Sequence, residues 1–274
     1  MPGPIMPIGQ AASASSVVVP VATANGADFT DTTLNWRSNS AHNAGAKFSL
    51  SMVPGSTTVG VIAYRRATDG YGCAKVVTFD SSGVPSFGAE LLLDATLAGV
   101  PILVAVLSST LVAFSWGEGS TTWFFNKATI SGTSLTSLGT EKSSASWGNG
   151  WDTMPSLKRW NSTKAIFVGY RSTTTAGGMI YDASGETLGS VATTGAGFWG
   201  GVGSWYAAAV DGTNSRGVMW GRSSANTNFN AVQGFTLSGT TFTWVGSINT
   251  ISGTQASQTL GGNHNNEQAL YLGN

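Results

Sequence analysis

The chain has 274 residues with 13 basic and 13 acidic side chains, so its formal net charge is zero and only 9% of its residues are charged. Such a surface has no field to hold nucleic-acid phosphates or an acidic lipid headgroup layer, and both partners are excluded. With 37 Gly, 34 Ser and 33 Thr the sequence could be a linker, but 41% hydrophobic residues and 10 Trp give it a core to bury, and the composition favours strands over helices.

In chain order, residues 1–15 carry Pro2, Pro4 and Pro7 with Ile5 and Ile8 between them and close on AASASS, which reads as an extended arm. This start has no basic residues before an apolar core, so it does not read as a secretory signal. The single Cys73 has no partner for an internal disulfide, and a reducing cytoplasm is the expected site of assembly. VVVPVATANG (17–26) and DTTLNW (31–36) read as strand, turn and strand. FSLSMV (48–53), PILVAVL (101–107) and WYAAAV (205–210) are apolar strands. The longest apolar run, Leu97 to Leu107, is broken by Gly99 and Pro101 and is too short to span a bilayer, so no membrane insertion is expected.

A unit recurs along this series. GVIAY, LVAF, AIFV, GVMW and ALYL end at residues 64, 114, 168, 220 and 272, in steps of 50, 54, 52 and 52. Each follows a polar turn, and the first four precede a third strand ending in glycine: VTFDSSG, KATISG, MIYDASG and GFTLSG, closing on Gly83, Gly132, Gly185 and Gly239. That period matches a four-stranded propeller blade. The C-terminus stops after the second strand of its unit, ALYLGN, while residues 17–36 supply a third and fourth strand. The expectation is therefore an all-β, five-bladed β-propeller over residues 16–274, closed by N- and C-terminal strands sharing one blade, preceded by the arm of residues 1–15.

Titratable chemistry is sparse. His42 and His264 fall in loops expected on opposite faces, two His and one Cys give no zinc spacing, and no nucleophile-elbow motif occurs; the reading is no metal, no cofactor and no catalytic residue. Five-bladed glycosidases need carboxylates on the innermost strands, but Asp80 and Asp182 open glycine turns, and Asp69, Asp211 and Glu118 also sit beside glycines. Asn161-Ser162-Thr163 reads as a turn. Trp36, Trp160, Trp205, Trp220 and Trp244 fall on strands, where packing between blades is their expected role.

Tyr71, Trp116 and Trp123 at second-to-third-strand connections, with Trp147, Trp151 and Trp199 in glycine-rich inter-blade connections, form a candidate ligand or partner face. Their rings can stack on saccharides, enter a protein contact, or anchor their own loops. Arg65, Arg66, Arg171 and Arg222 approach the same face.

The unit as a whole, a polar Ser/Thr turn, then VIAY or LVAF, then a third strand ending in SG, resembles the propeller repeats of tailed-bacteriophage virion proteins, and in outline it is similar to five-bladed lectins. The first resemblance implies a non-enzymatic structural or surface protein of the virion, a head decoration, fibre or tail component. It would be assembled in the host cytoplasm and docked to other virion proteins by Pro2, Pro4, Ile5, Pro7 and Ile8, with host surface glycan as a further partner. The second implies a free carbohydrate-binding lectin. A homo-oligomer is compatible with either.

Overall fold

A computed structural model describes residues 48–66, 69–97, 102–118, 121–148, 155–198, 206–224 and 230–251. These residues form strands and turns only, and no helix among them is long and apolar enough to cross a membrane.

The strands fall into four consecutive antiparallel sheets. The first contains β1 (Phe48–Met52), β2 (Val59–Arg65), β3 (Tyr71–Phe79), β4 (Pro85–Phe87) and β5 (Leu91–Leu97); the second contains β6 (Ile102–Val106), β7 (Leu111–Glu118), β8 (Thr122–Ser131), β9 (Ser134–Thr136) and β10 (Lys142–Ser144). The third contains β11 (Ser156–Arg159), β12 (Lys164–Ser172), β13 (Thr175–Asp182), β14 (Thr187–Leu188) and β15 (Ala192–Thr193). The fourth contains β16 (Tyr206–Asp211), β17 (Arg216–Arg222), β18 (Asn230–Ser238) and β19 (Thr241–Ile251). Each sheet is a meander whose outer strand is split in two in the first three and continuous in the fourth. The first strands β1, β6, β11 and β16 are successive neighbours. This is the blade arrangement of a β-propeller. The expected fifth blade, its closure by the chain ends and the N-terminal arm lie outside the described residues.

Among the described residues most of the core lies in the three interfaces between consecutive blades, and a smaller cluster of Ile62, Tyr64 and Cys73 lies on the other side of the first blade. Alternation along each strand sends one set of side chains to the preceding blade and the other to the following one. In β6, Ile102, Val104 and Val106 pack against Val61, Ala63, Ala74 and Val76 of the first blade, while Leu103 and Ala105 face the third blade. Between the second and third blades the aromatic centre is Phe167, with ring centroids of Trp123, Phe125 and Trp147 at 5.0, 5.3 and 4.8 Å. Between the third and fourth, Ile166 and Val168 meet Met219, Phe235 and Phe242.

This alternation corrects the register of the sequence repeat. Tyr64 and Phe114, aligned in sequence with Val168 and Trp220, point toward their preceding side, whereas Val168 points to the following blade. Matching by face instead sets Ala63 and Ala113 against Val168 and Trp220. A slip of one residue exchanges the two faces of a strand, and a run that is apolar at every position hides the slip.

Polar groups tie the blades as well. Ser49 and Ser51 of β1 accept hydrogen bonds from the Val104 and Val106 amides at 3.3 and 3.0 Å. The Trp116 indole donates to Asp94 at 3.1 Å, Arg159 donates to the Leu107 carbonyl at 2.8 Å, and the Trp244 indole donates to the Ala192 carbonyl at 3.0 Å.

The third-to-fourth-strand turns follow the sequence in three blades, where Gly83, Gly132 and Gly239 take φ of 78°, 58° and 59°. The third blade differs: there Glu186 rather than Gly185 is left-handed, at φ 49°. Its carboxylate offsets that backbone cost across the blade boundary, with an ion pair to Lys127 at 3.0 Å and a hydrogen bond from the Thr140 amide at 3.1 Å.

Where the outer strand breaks, Gly88, Gly139 and Gly189 each donate a hydrogen bond back to the third strand, at 2.9, 2.9 and 2.8 Å. Each also faces the turn of the following blade. A Cβ on Gly88 would lie 1.7 Å from the Thr133 carbonyl oxygen, and one on Gly189 would lie 2.0 Å from that of Thr240. Replacing Gly88 with Ala should therefore cost about 1–3 kcal/mol, the usual range for overpacking, read as a lowered denaturant midpoint.

A second comparison separates packing from polarity. Phe167→Ala should cost about 3–5 kcal/mol. Tyr181→Phe should leave the midpoint unchanged or raised, because the buried Tyr181 hydroxyl has no hydrogen-bond partner.

Candidate functional site

The structure divides the expected aromatic face. Trp116, Trp123 and Trp147 are 0%, 2% and 1% exposed. Trp116 and Trp123 lie inside strands because β7 and β8 continue as a ladder to the Glu118–Thr122 pair. Alternation then turns Trp116 toward the first blade and Trp123 toward the third. Trp147 is fixed by its indole N–H to Ser144 Oγ at 2.9 Å and by Phe167. Arg171 lies over its ring at 5.7 Å and donates to the Ala145 and Ser146 carbonyls. These three rings pack blades together and offer no face to a ligand, which corrects the sequence expectation for them. Trp151, Trp199 and the arm residues Pro2, Pro4, Ile5, Pro7 and Ile8 lie outside the described residues, as do His42 and His264.

Tyr71 is different. It starts β3, is half-buried, and belongs to a polar corner on the first blade. The turn from β2 is held by the Arg66 amide donating to the Tyr71 carbonyl at 2.8 Å and by Asp69 Oδ1 accepting from the Tyr71 amide at 3.0 Å. The Arg66 side chain is clamped by two carboxylates. Its Nε donates to both Asp69 oxygens at 3.0 Å, Nη2 pairs with Asp69 Oδ2, and Nη1 donates to Glu90 Oε1 at 2.6 Å. The Tyr64 hydroxyl donates to Glu90 Oε2 at 2.5 Å, and the Arg66 guanidinium stands 5.6 Å from the Tyr71 ring centroid.

Glu90 arrives in the break between β4 and β5, carried there because β5 returns to pair with β3 at Leu91–Ala74 and Leu92–Cys73. Sequence reasoning assigned no role to Glu90 or Tyr64. The available signal was weak: one acid directly before the apolar run LeuLeuLeu.

The electrostatics follow from these partners. The carboxylate hydrogen bonds hold Arg66 above the ordinary guanidinium range, and the Arg66 hydrogen bond holds Asp69 below its ordinary value. Burial acts to raise Glu90, but the Tyr64 and Arg66 hydrogen bonds and the Arg66 charge outweigh it, and its pKa is lowered. Behind this corner, burial and the Glu90 charge push the Cys73 thiol up to about 12.

Asp80, Asp182 and Asp211 serve turns, and Asp182, Glu186 and Asp211 also form ion pairs. Oδ1 of Asp80 accepts from the Ser82 and Val84 amides, that of Asp182 from Ser184 and Gly185, and that of Asp211, at the end of the first strand β16, from Thr213 and Asn214. Asn161 Oδ1 likewise accepts from Thr163 and Lys164, as a turn residue. Among the described residues no three His, Cys, Asp or Glu side chains gather to hold a metal ion.

No protein family matches the chain, and no curated protein does. Among solved structures it is similar to a fucose-specific lectin from Aleuria aurantia, at 13% identity and a TM-score of 0.47 over 79% of this chain and 64% of the lectin. It is similar to a prolyl endopeptidase, at 9% identity and a TM-score of 0.41 over 77% of this chain and 29% of that one. The third is the β-propeller domain of the Trilobed protease from Pyrococcus furiosus, at 13% identity and a TM-score of 0.38 over 74% and 58%. The matched region thus spans less than two thirds of each of these chains.

The lowered Glu90 pKa fixes a pH dependence. A carboxylate more acidic in the folded chain contributes stability that is present above the unfolded glutamate pKa, about 4.3, and is lost as pH falls through the lower folded value. Glu90→Gln should therefore reduce stability at pH 7 and flatten its fall below about pH 4.3, measured by denaturant titration across that range.

Proposed function

We propose that this protein is a non-enzymatic surface component of a tailed-bacteriophage particle, docked by its N-terminal arm, whose propeller contacts host-surface saccharide through the corner around Tyr71. The observation that carries the saccharide contact is a half-buried tyrosine ring beside a guanidinium fixed between two partly exposed carboxylates. A sugar ring offers a C–H face that suits an aromatic ring, and vicinal hydroxyls that suit paired acceptors and donors already held in place. Arg66, Asp69 and Glu90 are ordered by each other, so a ligand bears little of that cost.

The particle assignment rests on the resemblance of the repeat, the neutral Gly/Ser/Thr-rich composition and the proline-containing arm. A non-enzymatic reading is favoured because Asp80, Asp182, Asp211 and Glu186 are engaged in turns and ion pairs rather than gathered at one site. A free lectin with equivalent sites on each blade is disfavoured by one comparison. Arg171 over Trp147 repeats the cation–aromatic pairing of Arg66 over Tyr71, but the Trp147 ring is buried and leaves no face for a sugar.

On a glycan array the purified protein should bind a restricted set of saccharides, and Tyr71→Ala should weaken that binding about tenfold or more, equivalent to about 1.4 kcal/mol. A flat array, or binding indifferent to Tyr71, would overturn the saccharide contact. Deleting residues 2–15 should abolish incorporation into particles while leaving array binding intact; normal incorporation would sink the docking role.

A further inference from the structure

We infer that the corner around Tyr71 selects uncharged saccharides and turns away those ending in a uronic or sialic acid, with Glu90 as the discriminating residue. The inference deepens the saccharide reading and rests on it.

The hydrogen bonds show what the corner still has to offer. A guanidinium carries five N–H groups. Arg66 commits Nε and one N–H of Nη2 to Asp69 and one N–H of Nη1 to Glu90, so each terminal nitrogen keeps one N–H. Asp69 is filled: Oδ1 accepts from Arg66 Nε and the Tyr71 amide, and Oδ2 accepts from Arg66 Nε and Nη2. Glu90 is not filled, because Oε1 accepts from Arg66, Oε2 from the Tyr64 hydroxyl, and the Cys73 thiol adds only a weak donor. Beside the Tyr71 ring there remain two donors and one ionised acceptor, on side chains 25% and 21% exposed. Neighbouring hydroxyls meet this set by accepting from Arg66 and donating to Glu90.

A carboxylate can only accept, and it brings a charge. Seated on the remaining N–H groups of Arg66, its oxygens would stand about 5 Å from those of Glu90 and Asp69, the separation of two acceptors that share one nitrogen. One cation would then face three anions, an arrangement that like-charge repulsion opposes. Protonation near neutral pH does not relieve it. Asp69 is held below its ordinary pKa by the Arg66 hydrogen bond, and Glu90 is held below its own, against burial, by Tyr64 and Arg66. The other cations of this blade do not reverse the balance. Arg65 shares the sheet face of Val61 and Ala63, opposite to that of Tyr64, and donates to the Gly70 carbonyl at 3.2 Å. Lys75 is 8% exposed, with Nζ 6.0 Å from the Tyr64 ring centroid.

The test sets the full chain against matched glycan pairs that differ only in carrying a hydroxymethyl or a carboxylate group at one carbon. The neutral member should bind about tenfold or more tightly than the acidic one. Raising the ionic strength from about 0.01 M to about 1 M, which cuts the screening length from about 30 Å to about 3 Å, should narrow that gap. Glu90→Gln keeps an acceptor for Arg66 and removes one negative charge, so it should move the acidic-to-neutral binding ratio about fivefold or more toward the acid. If that variant loses its β-sheet spectrum, the salt dependence of the unaltered protein decides. An acidic member that binds as tightly as its neutral partner, a gap that widens with salt, or a ratio unmoved in folded Glu90→Gln would overturn the selectivity while leaving the saccharide contact standing. Binding to neither member of any pair would remove the contact itself, and the inference with it.

Discussion

The second and third sheets of this protein are each pressed between two others, and a strand in that position has no solvent side. Residues at odd and even positions must both be apolar, because they enter different interfaces. The run Ile102–Val106, buried at every position, is the plainest case. Other features follow from this condition. Some of the polar residues admitted into the stack satisfy a neighbouring backbone, as Ser49 and Ser51 do on the amides of β6. The indole N–H groups of Trp116 and Trp244 reach an acceptor in the adjoining blade. Glycines stand where a turn of the following blade leaves no room for a side chain, as at Gly88 and Gly189.

The same condition determines what the sequence could reveal. The second strands were legible because four apolar residues after a polar turn recur at a steady interval, and Val59–Arg65, Leu111–Glu118, Lys164–Ser172 and Arg216–Arg222 fall there. Turn residues were legible because their chemistry is local: Asp80, Asp182 and Asp211 close turns through their own following amides. Facing was not legible. In a strand that is apolar throughout, nothing in the composition distinguishes Ala63 from Tyr64 as the residue that meets the next blade. Nor could the left-handed Glu186 be anticipated, since its compensation comes from Lys127 and Thr140, far away in sequence.

The aromatic residues show this limit most clearly in the candidate site. A tryptophan near the end of a strand reads equally well as a surface platform and as a packing residue, and the length of the ladder decides. Because β7 and β8 pair to their tips, Trp116 and Trp123 are drawn inside. Tyr71 stays at the rim because its strand begins there and because Arg66 spans the preceding turn to Asp69 and Glu90. Glu90 comes into reach only through the return of β5 onto β3, a pairing that local sequence does not encode.

Cys73 bears on durability rather than recognition. Its sulfur is fully enclosed and its thiol is kept protonated well beyond neutral pH by burial and the adjacent Glu90 charge. The thiolate is the form that attacks peroxide or another disulfide, so this one cysteine is slow both to oxidise and to join two chains covalently. A sample kept in aerated buffer should therefore remain free of disulfide-linked dimers without added reductant.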